Sequence, residues 1–139
     1  MTPRESYSDR QTCLLQGSEA VRQAAETARA FGEGLKLAAG EQARLCLVVE
    51  ELLANLYDHG GLTDGDQVEL TLSREAEGIC LVIVDPGKPF DPRSVPPNYI
   101  LPERGGGAGL NIVRSWARFV DYQVTVGGNR LELILPLAR

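Results

Sequence analysis

The spacing of apolar residues in this chain changes near residue 60, and that change restricts the fold more than any other feature. Before this point apolar residues recur at helical spacing, at Leu45, Val48, Val49, Leu52, Leu53 and Leu56. From Gln67 onward the period is two, because Val68, Leu70 and Leu72 alternate with polar residues. Helices followed by strands, without regular alternation, predict an α+β protein with helices on one face of a mostly antiparallel sheet.

The same patterns predict the order of the elements along the chain. The predicted elements are an edge strand at 12–16, a helix capped by Ser18 that fades near Gly32 and Gly34, a helix from Gly40 to Gly60, strands at 67–73 and 79–84, a helix from about Ala108 to Val120, and strands at 122–126 and 130–137 that are joined by a hairpin signal at Gly127, Gly128 and Asn129. The strand at 79–84 is apolar on consecutive residues, which predicts burial on both faces. The proline-rich segment that follows it is predicted to be a long loop.

Length and composition indicate one domain with an ordinary core, since the chain has 139 residues of which 43% are hydrophobic. We expect residues 1–11 to be disordered and residues 12–139 to form this domain. The absence of a membrane-spanning or signal segment predicts a cytoplasmic protein. The net charge of −5, with scattered basic residues, argues against direct binding of nucleic acid. Cys13, Cys46 and Cys80 are far apart in apolar contexts and are expected to be reduced.

Three polar residues lie one turn apart along the leucine-rich helix. At about 100° per residue, Glu51, Asn55 and His59 border its apolar face. One explanation is that boundary positions tolerate polar side chains and that His59 interacts with the dipole at the helix end. The chemical alternative is that Glu51 acts as a general base in a cleft while Asn55 gives one oxygen ligand to Mg²⁺. The spacing permits both explanations.

The most apolar predicted strand ends at Asp85, and a Pro-Gly pair follows. Gly87 allows the chain to turn at once, which holds the carboxylate at the end of the sheet. A simple turn accounts for this pattern. The functional alternative is that Asp85 accepts a hydrogen bond from a ligand amino group, such as that of adenine, with Phe90 as apolar cover.

A glycine cluster precedes the last predicted helix, with Gly105, Gly106, Gly107 and Gly109 close together. Backbone N–H groups in such a loop and at the helix N-terminus can bind phosphate. A flexible connector has the same composition. The cluster is neither a Walker A nor a Rossmann motif, because no Lys-Ser pair follows it and no βαβ unit surrounds it.

Taken in order, three segments resemble the asparagine box and the two glycine boxes of the GHKL ATPase superfamily: EELLANLYDHG, DPGKPFDP and GGGAGLNIV. Within that superfamily, the short single domain, the His-Gly that closes the first box and the ending GGNRLELILPL look like the anti-sigma-factor serine kinases of the RsbW type. The resemblance extends from about Cys13 to the end of the chain. It implies a Bergerat ATP-binding fold, which is a two-layer sandwich of helices on a sheet.

The resemblance also implies roles for matching positions. Glu51 corresponds to the catalytic base, Asn55 to the Mg²⁺ ligand and Asp85 to the aspartate that contacts adenine. The other positions expected at the nucleotide are His59, Gly87, Phe90, Arg104, Gly105, Gly107, Gly109 and Leu110. Residues 92–107 correspond to the ATP lid. Lys88, Pro89 and Ala108 depart from the usual glycine boxes, which bears on nucleotide affinity and lid geometry.

ATP and Mg²⁺ are the cofactors that this resemblance implies. The implied activity is phosphorylation of a STAS-domain anti-anti-sigma protein on serine, by an enzyme that is usually dimeric and also holds a sigma factor inactive. Arg22 or Arg29 of the first helix is expected to contact a partner. Two alternatives stay open: a non-catalytic partner-binding module that uses ATP only structurally, and the ATP-binding domain of a histidine kinase. Against the latter, the sole histidine, His59, lies in the asparagine box.

Overall fold

The computed structural model describes residues 9–94 and 108–137, which form five strands and three α-helices. The strands are β1 (Arg10–Gln16), β2 (Gln67–Arg74), β3 (Gly78–Asp85), β4 (Arg118–Thr125) and β5 (Gly128–Pro136), and the helices are α1 (Ala20–Gly34), α2 (Ala39–His59) and α3 (Ala108–Trp116). The strands lie in the order β1-β2-β3-β5-β4, and each neighbouring pair is antiparallel. The predicted α+β class, with helices layered on an antiparallel sheet, is confirmed.

The helix α2 contacts both other helices and supplies the largest share of the helical side of the core. At its start the Glu41 side chain accepts a hydrogen bond from the Ala38 backbone N–H at 3.3 Å, as in half of a capping box. All the apolar residues predicted for its inner face are buried: Leu45, Val48, Val49, Leu52, Leu53 and Leu56. Ala54, predicted to point elsewhere, is also buried.

Alternate residues of the two central strands face the helices. These inward residues are Ile79, Leu81 and Ile83 of β3 and Leu131, Leu133 and Leu135 of β5. The same alternation places Asp85 and Asn129 at one end of the two inward rows, where they are cross-strand partners. On the other side of β3, Cys80 is buried and Val82 and Val84 are half-buried, so the prediction that this strand is buried on both faces is confirmed only in part.

The last helix is shorter than predicted, because α3 ends at Trp116 and the chain enters β4 at Arg118. Phe119 and Val120 were predicted to belong to the helix and instead lie in the strand. The register of β4 against β5 shifts between Phe119 and Asp121, which marks a β-bulge. Phe119 and Tyr122 pack against the core three positions apart, so the bulge imitates helical spacing in the sequence.

Other boundaries differ by a few residues. β1 begins at Arg10, and a 3-10 turn at Gly17–Glu19 makes Glu19, rather than Ser18, the N-cap residue of α1. Of the predicted lid, the structure describes Pro92–Ser94, which form a 3-10 turn. The rest of the lid, with Arg104, Gly105 and Gly107, lies outside the described residues, as do residues 1–8. None of the described helices is both long and apolar enough to cross a membrane.

Candidate nucleotide site

A cavity lies between α2 and the end of the sheet that carries Asp85. Its lining consists of Leu52, Asn55, Leu56, Ile83, Asp85, Phe90, Pro92, Tyr122 and Leu131. A mostly apolar wall with a few convergent polar groups is typical of small-molecule sites. The free volume is about 10 Å³, which is room for about one water molecule. A nucleotide base therefore does not fit the cavity as it stands, and the lining side chains have to move apart to admit one.

Asn55 brings the asparagine box to this cavity. Its side chain is 4% exposed, and its Nδ2 donates to the backbone oxygen of Glu51 at 2.8 Å, which fixes the orientation of the amide. Asn55 Oδ1 is buried and has no hydrogen-bond partner among the described residues. A buried, unsatisfied acceptor is costly unless a ligand completes it. An amide oxygen is a suitable Mg²⁺ ligand beside phosphate oxygens and water, so this residue fits the expected ion.

Glu51 lies one helical turn before Asn55 and is half-buried, but its side chain is not part of the cavity lining. Within the parts of the chain that the structure describes, no three His, Cys, Asp or Glu side chains gather as a metal site. An Mg²⁺ ion held by Asn55 would therefore need phosphate and water for most of its ligands, which is the usual arrangement for Mg²⁺ with a nucleotide.

Asp85 brings the first glycine box to the same cavity. The side chain is 5% exposed, and its Oδ1 accepts hydrogen bonds from Gly87 N at 2.8 Å and from Asn129 Nδ2 at 3.2 Å. Burial raises the pKa of this carboxyl above its ordinary value, and the two hydrogen bonds partly oppose that effect. The carboxylate is consequently held by two donors at a partly desolvated position.

The first glycine box packs directly against the end of α2. Lys88 N donates to the Gly60 carbonyl oxygen at 2.7 Å. A Cβ atom at Gly87 would lie 2.3 Å from that same oxygen, which no side chain can tolerate. Gly87 is thus required by close backbone approach, and its contact joins two boxes that are far apart in the sequence.

His59 and Phe90 form the next contact between the two boxes. Their ring centroids are 4.9 Å apart with an interplanar angle of 21°, so the rings stack. The Phe90 backbone N–H donates to the Tyr122 hydroxyl at 2.8 Å. His59 does not line the cavity, but it positions Phe90, which does.

The second glycine box is described only in part. Gly109 lies in the first turn of α3, and Leu110 is 3% exposed without lining the cavity. The structure therefore brings together Asn55, Asp85 and Phe90 in one cavity, with Gly87 and His59 in contact with them. It does not place Glu51 or Leu110 in the cavity wall.

Two polar residues of the site were missed from the sequence. Tyr122 lines the cavity and supports Phe90, but the bulge in β4 concealed its inward position. Asn129 was interpreted only as part of a turn signal. Its period-two spacing from Leu131 and Leu133 placed it on the inner face, next to Asp85.

The protein has a helical layer on an antiparallel sheet, and its cavity brings a helix asparagine together with an aspartate at the end of a strand. This is the architecture of an ATP-binding α+β domain. The chain belongs to the histidine kinase-like ATPase domain family, whose model matches residues 16–135. The predicted superfamily is therefore confirmed. Membership implies ATP binding, and it supports ATP-dependent phosphotransfer in general.

The fold is similar to that in a crystal structure of the RsbU and RsbW domains of Rv1364c from Mycobacterium tuberculosis. The TM-score is 0.60 at 19% sequence identity, and the match covers 94% of this chain and 33% of that chain. At this identity the likeness supports the fold. A search of curated proteins gives no match.

Proposed function

We propose that this protein is an ATP-dependent serine protein kinase and an anti-sigma factor in a partner-switching module. The observation that carries this proposal is the meeting of Asn55 and Asp85 in one cavity, with Glu51 one turn from Asn55 on the same helix. Family membership supports ATP as the ligand, and the fold resembles a structure that contains an RsbW domain.

In the proposed complex the adenine amino group donates to the Asp85 carboxylate, and Phe90 covers the base from its stack on His59. Asn55 Oδ1 provides a protein ligand to Mg²⁺, which neutralises charge on the phosphate oxygens when it is bound with ATP. The phosphates lie near the N-terminus of α3, where backbone N–H groups favour anions. The remaining contacts that we assign are Gly87, Arg104, Gly105, Gly107, Gly109 and Leu110.

Glu51 is the proposed general base. Its carboxylate accepts the proton of a serine hydroxyl on the substrate protein while that oxygen attacks the γ-phosphorus in line. The bond between the γ-phosphorus and the bridging oxygen breaks, and ADP leaves. The half-buried position of Glu51, outside the cavity that we assign to adenine, suits a residue that meets a second protein.

The proposed substrate is a STAS-domain anti-anti-sigma protein, and the sequestered partner is a sigma factor, which places the switch in the cytoplasm. Phosphorylation of the antagonist adds negative charge and breaks its interface, which frees the kinase to hold the sigma factor again. The exposed face of α1 is our candidate for a partner contact. Arg22 and Arg29 lie there in ion pairs with glutamates of the same helix, and Arg22 also pairs with the N-cap residue Glu19.

The decisive experiment is incubation of the protein with ATP, Mg²⁺ and a STAS-domain antagonist, followed by mass spectrometry of the antagonist. We expect one phosphoryl group on a serine, and we expect Glu51→Ala to abolish transfer while nucleotide binding is retained. The control variant is Glu50→Ala, which removes the neighbouring half-buried carboxylate on α2. Tight nucleotide binding without any transfer refutes the kinase.

We also propose that the protein forms a homodimer, as the enzymes that its sequence resembles usually do. Sedimentation with and without ATP tests this separately, because the phosphotransfer assay does not report it. The non-catalytic alternative makes a different prediction. If ATP has only a structural role, binding of the partner stays unchanged in Asn55→Ala and in the absence of Mg²⁺.

A further inference from the structure

Asn129 makes three polar contacts beside the cavity without lining it. The residue is 2% exposed, and its Nδ2 lies 3.2 Å from Asp85 Oδ1, 3.0 Å from the Gly87 carbonyl oxygen and 3.3 Å from the Lys88 carbonyl oxygen. One amide group therefore holds both the Asp85 side chain and the backbone of the loop that follows it.

The backbone around Asn129 fixes this amide in place. Asn129 and Asp85 are cross-strand partners at the end of the ladder between β3 and β5. The preceding residue, Gly128, has a φ of +152°, and a Cβ atom there would lie 2.0 Å from the Asp85 carbonyl oxygen. Because only glycine fits this approach, the position of Asn129 relative to Asp85 is set by the sheet itself.

The two oxygens of Asp85 consequently differ. Oδ1 accepts hydrogen bonds from both Gly87 N and Asn129 Nδ2, whereas Oδ2 has no partner within the described part of the chain. A carboxylate with one oxygen committed in this way has a fixed orientation and offers one acceptor to the cavity. Such an acceptor suits a ligand N–H group and repels a ligand oxygen.

We propose that Asn129 is a positioning residue that sets purine selectivity by holding Asp85 Oδ1, so that Oδ2 accepts from a 6-amino group and rejects a 6-oxo group. This inference rests on the nucleotide site of the proposed function and specifies how that site distinguishes bases. Asn129 acts through Asp85, since its own side chain does not reach the cavity wall.

The test is calorimetric titration of the full chain with ADP and with IDP, which differ at the purine 6-position. Asn129→Ala is expected to weaken ADP binding about tenfold, which corresponds to one lost charge-assisted hydrogen bond. It is expected to weaken IDP binding by less than about twofold. Asn129→Ser, which keeps one donor, is expected to lie between the wild type and Asn129→Ala.

A double-mutant cycle separates positioning from general loosening of the fold. In an Asp85→Ala background, Asn129→Ala is expected to change ADP affinity by less than about twofold, because the residue through which it acts is gone. Thr71→Ala is the matched control. Thr71 is another buried polar residue, whose hydroxyl bonds that of Thr12 on the side of the sheet away from the helices. We expect it to leave the ratio of ADP to IDP affinity unchanged.

Equal losses for ADP and IDP, or additive effects in the cycle, overturn the inference and leave Asn129 with a purely structural role. If circular dichroism shows that Asn129→Ala does not fold, Asn129→Ser decides by the same ratio. Failure of the wild-type protein to bind either nucleotide refutes the proposed site as a whole. Normal ADP binding with an unchanged ratio in the variants refutes only the role of Asn129.

Discussion

The substitution Gly87→Ala tests whether the two boxes are joined by backbone contact, as the structure indicates. The added Cβ would lie 2.3 Å from the Gly60 carbonyl oxygen and 2.9 Å from Leu62 Cδ2. If the loop stays in place, the overpacking costs about 1–3 kcal/mol. If the loop moves away, the hydrogen bond from Lys88 N is lost and the Gly60 oxygen is left unsatisfied, which also costs about 1–3 kcal/mol.

The loop either stays and is overpacked or moves away, whichever costs less free energy, so the two costs do not add. We expect a loss of about 1–3 kcal/mol in the free energy of unfolding, which lowers the Tm by about 3–9 °C for a chain of this size. ADP affinity should also fall, by about tenfold, because Gly87 N holds Asp85 Oδ1. Thermal unfolding followed by circular dichroism and calorimetric titration with ADP measure the two effects.

Gly65→Ala is the matched control for this substitution. Gly65 lies in the exposed turn before β2, and a Cβ atom there meets nothing within 4 Å. We expect its stability to stay within about 0.5 kcal/mol of the wild type. If Gly87→Ala melts within about 1 °C of both proteins, the close approach of the two boxes does not exist in solution and the reasoning is wrong.

Three further predictions follow from other parts of the molecule. Because burial raises the pKa of Asp85 above its ordinary value of 3.8, and the ionised carboxylate is a stronger acceptor for the adenine amino group than the protonated carboxyl, ADP affinity should fall with decreasing pH before that value is reached. Titration calorimetry at successive pH values measures this, and a fall that begins only below 3.8 contradicts it. Gly40→Ala, at an exposed position of α2 with open space around it, should stabilise the fold by about 0.5–1 kcal/mol in chemical denaturation, and a loss of stability there would count against the helix assignment. Burial and the nearby Glu50 carboxylate raise the pKa of the Cys46 thiol, so alkylation followed by mass spectrometry should be slow near neutral pH and faster in Glu50→Gln.

The helix α2 could be predicted from the sequence because its signal is local. Every apolar residue assigned to its inner face is buried, and the helix ends within a residue of the glycine pair that predicted the stop. The junction between α3 and β4 could not be predicted by the same method. The bulge between Phe119 and Asp121 adds a residue to one strand, and only its pairing with β5 distinguishes that irregularity from a helical repeat.

The candidate site, like the fold, could be predicted from the sequence only in part. Asn55, Asp85 and Phe90 could be identified one at a time from their motifs, and the structure places them in one cavity. The stack of His59 on Phe90 and the support of Phe90 by Tyr122 depend on how α2, the loop after β3 and β4 meet in space. No local pattern specifies such contacts, because their geometry is set by the packing of elements that are distant in the sequence.

These contacts also change the explanation for two glycines. In the sequence, Gly87 is a turn residue and Gly128 belongs to a hairpin signal. In the structure, a Cβ atom at Gly87 would strike the carbonyl oxygen that ends α2, and a Cβ atom at Gly128 would strike the Asp85 carbonyl oxygen. Both glycines thus bring backbones together around Asp85 rather than supplying flexibility. A site that must hold one carboxylate oxygen toward a base needs that rigidity, because an Asp85 side chain free to rotate could meet an amino group or an oxo group about equally well.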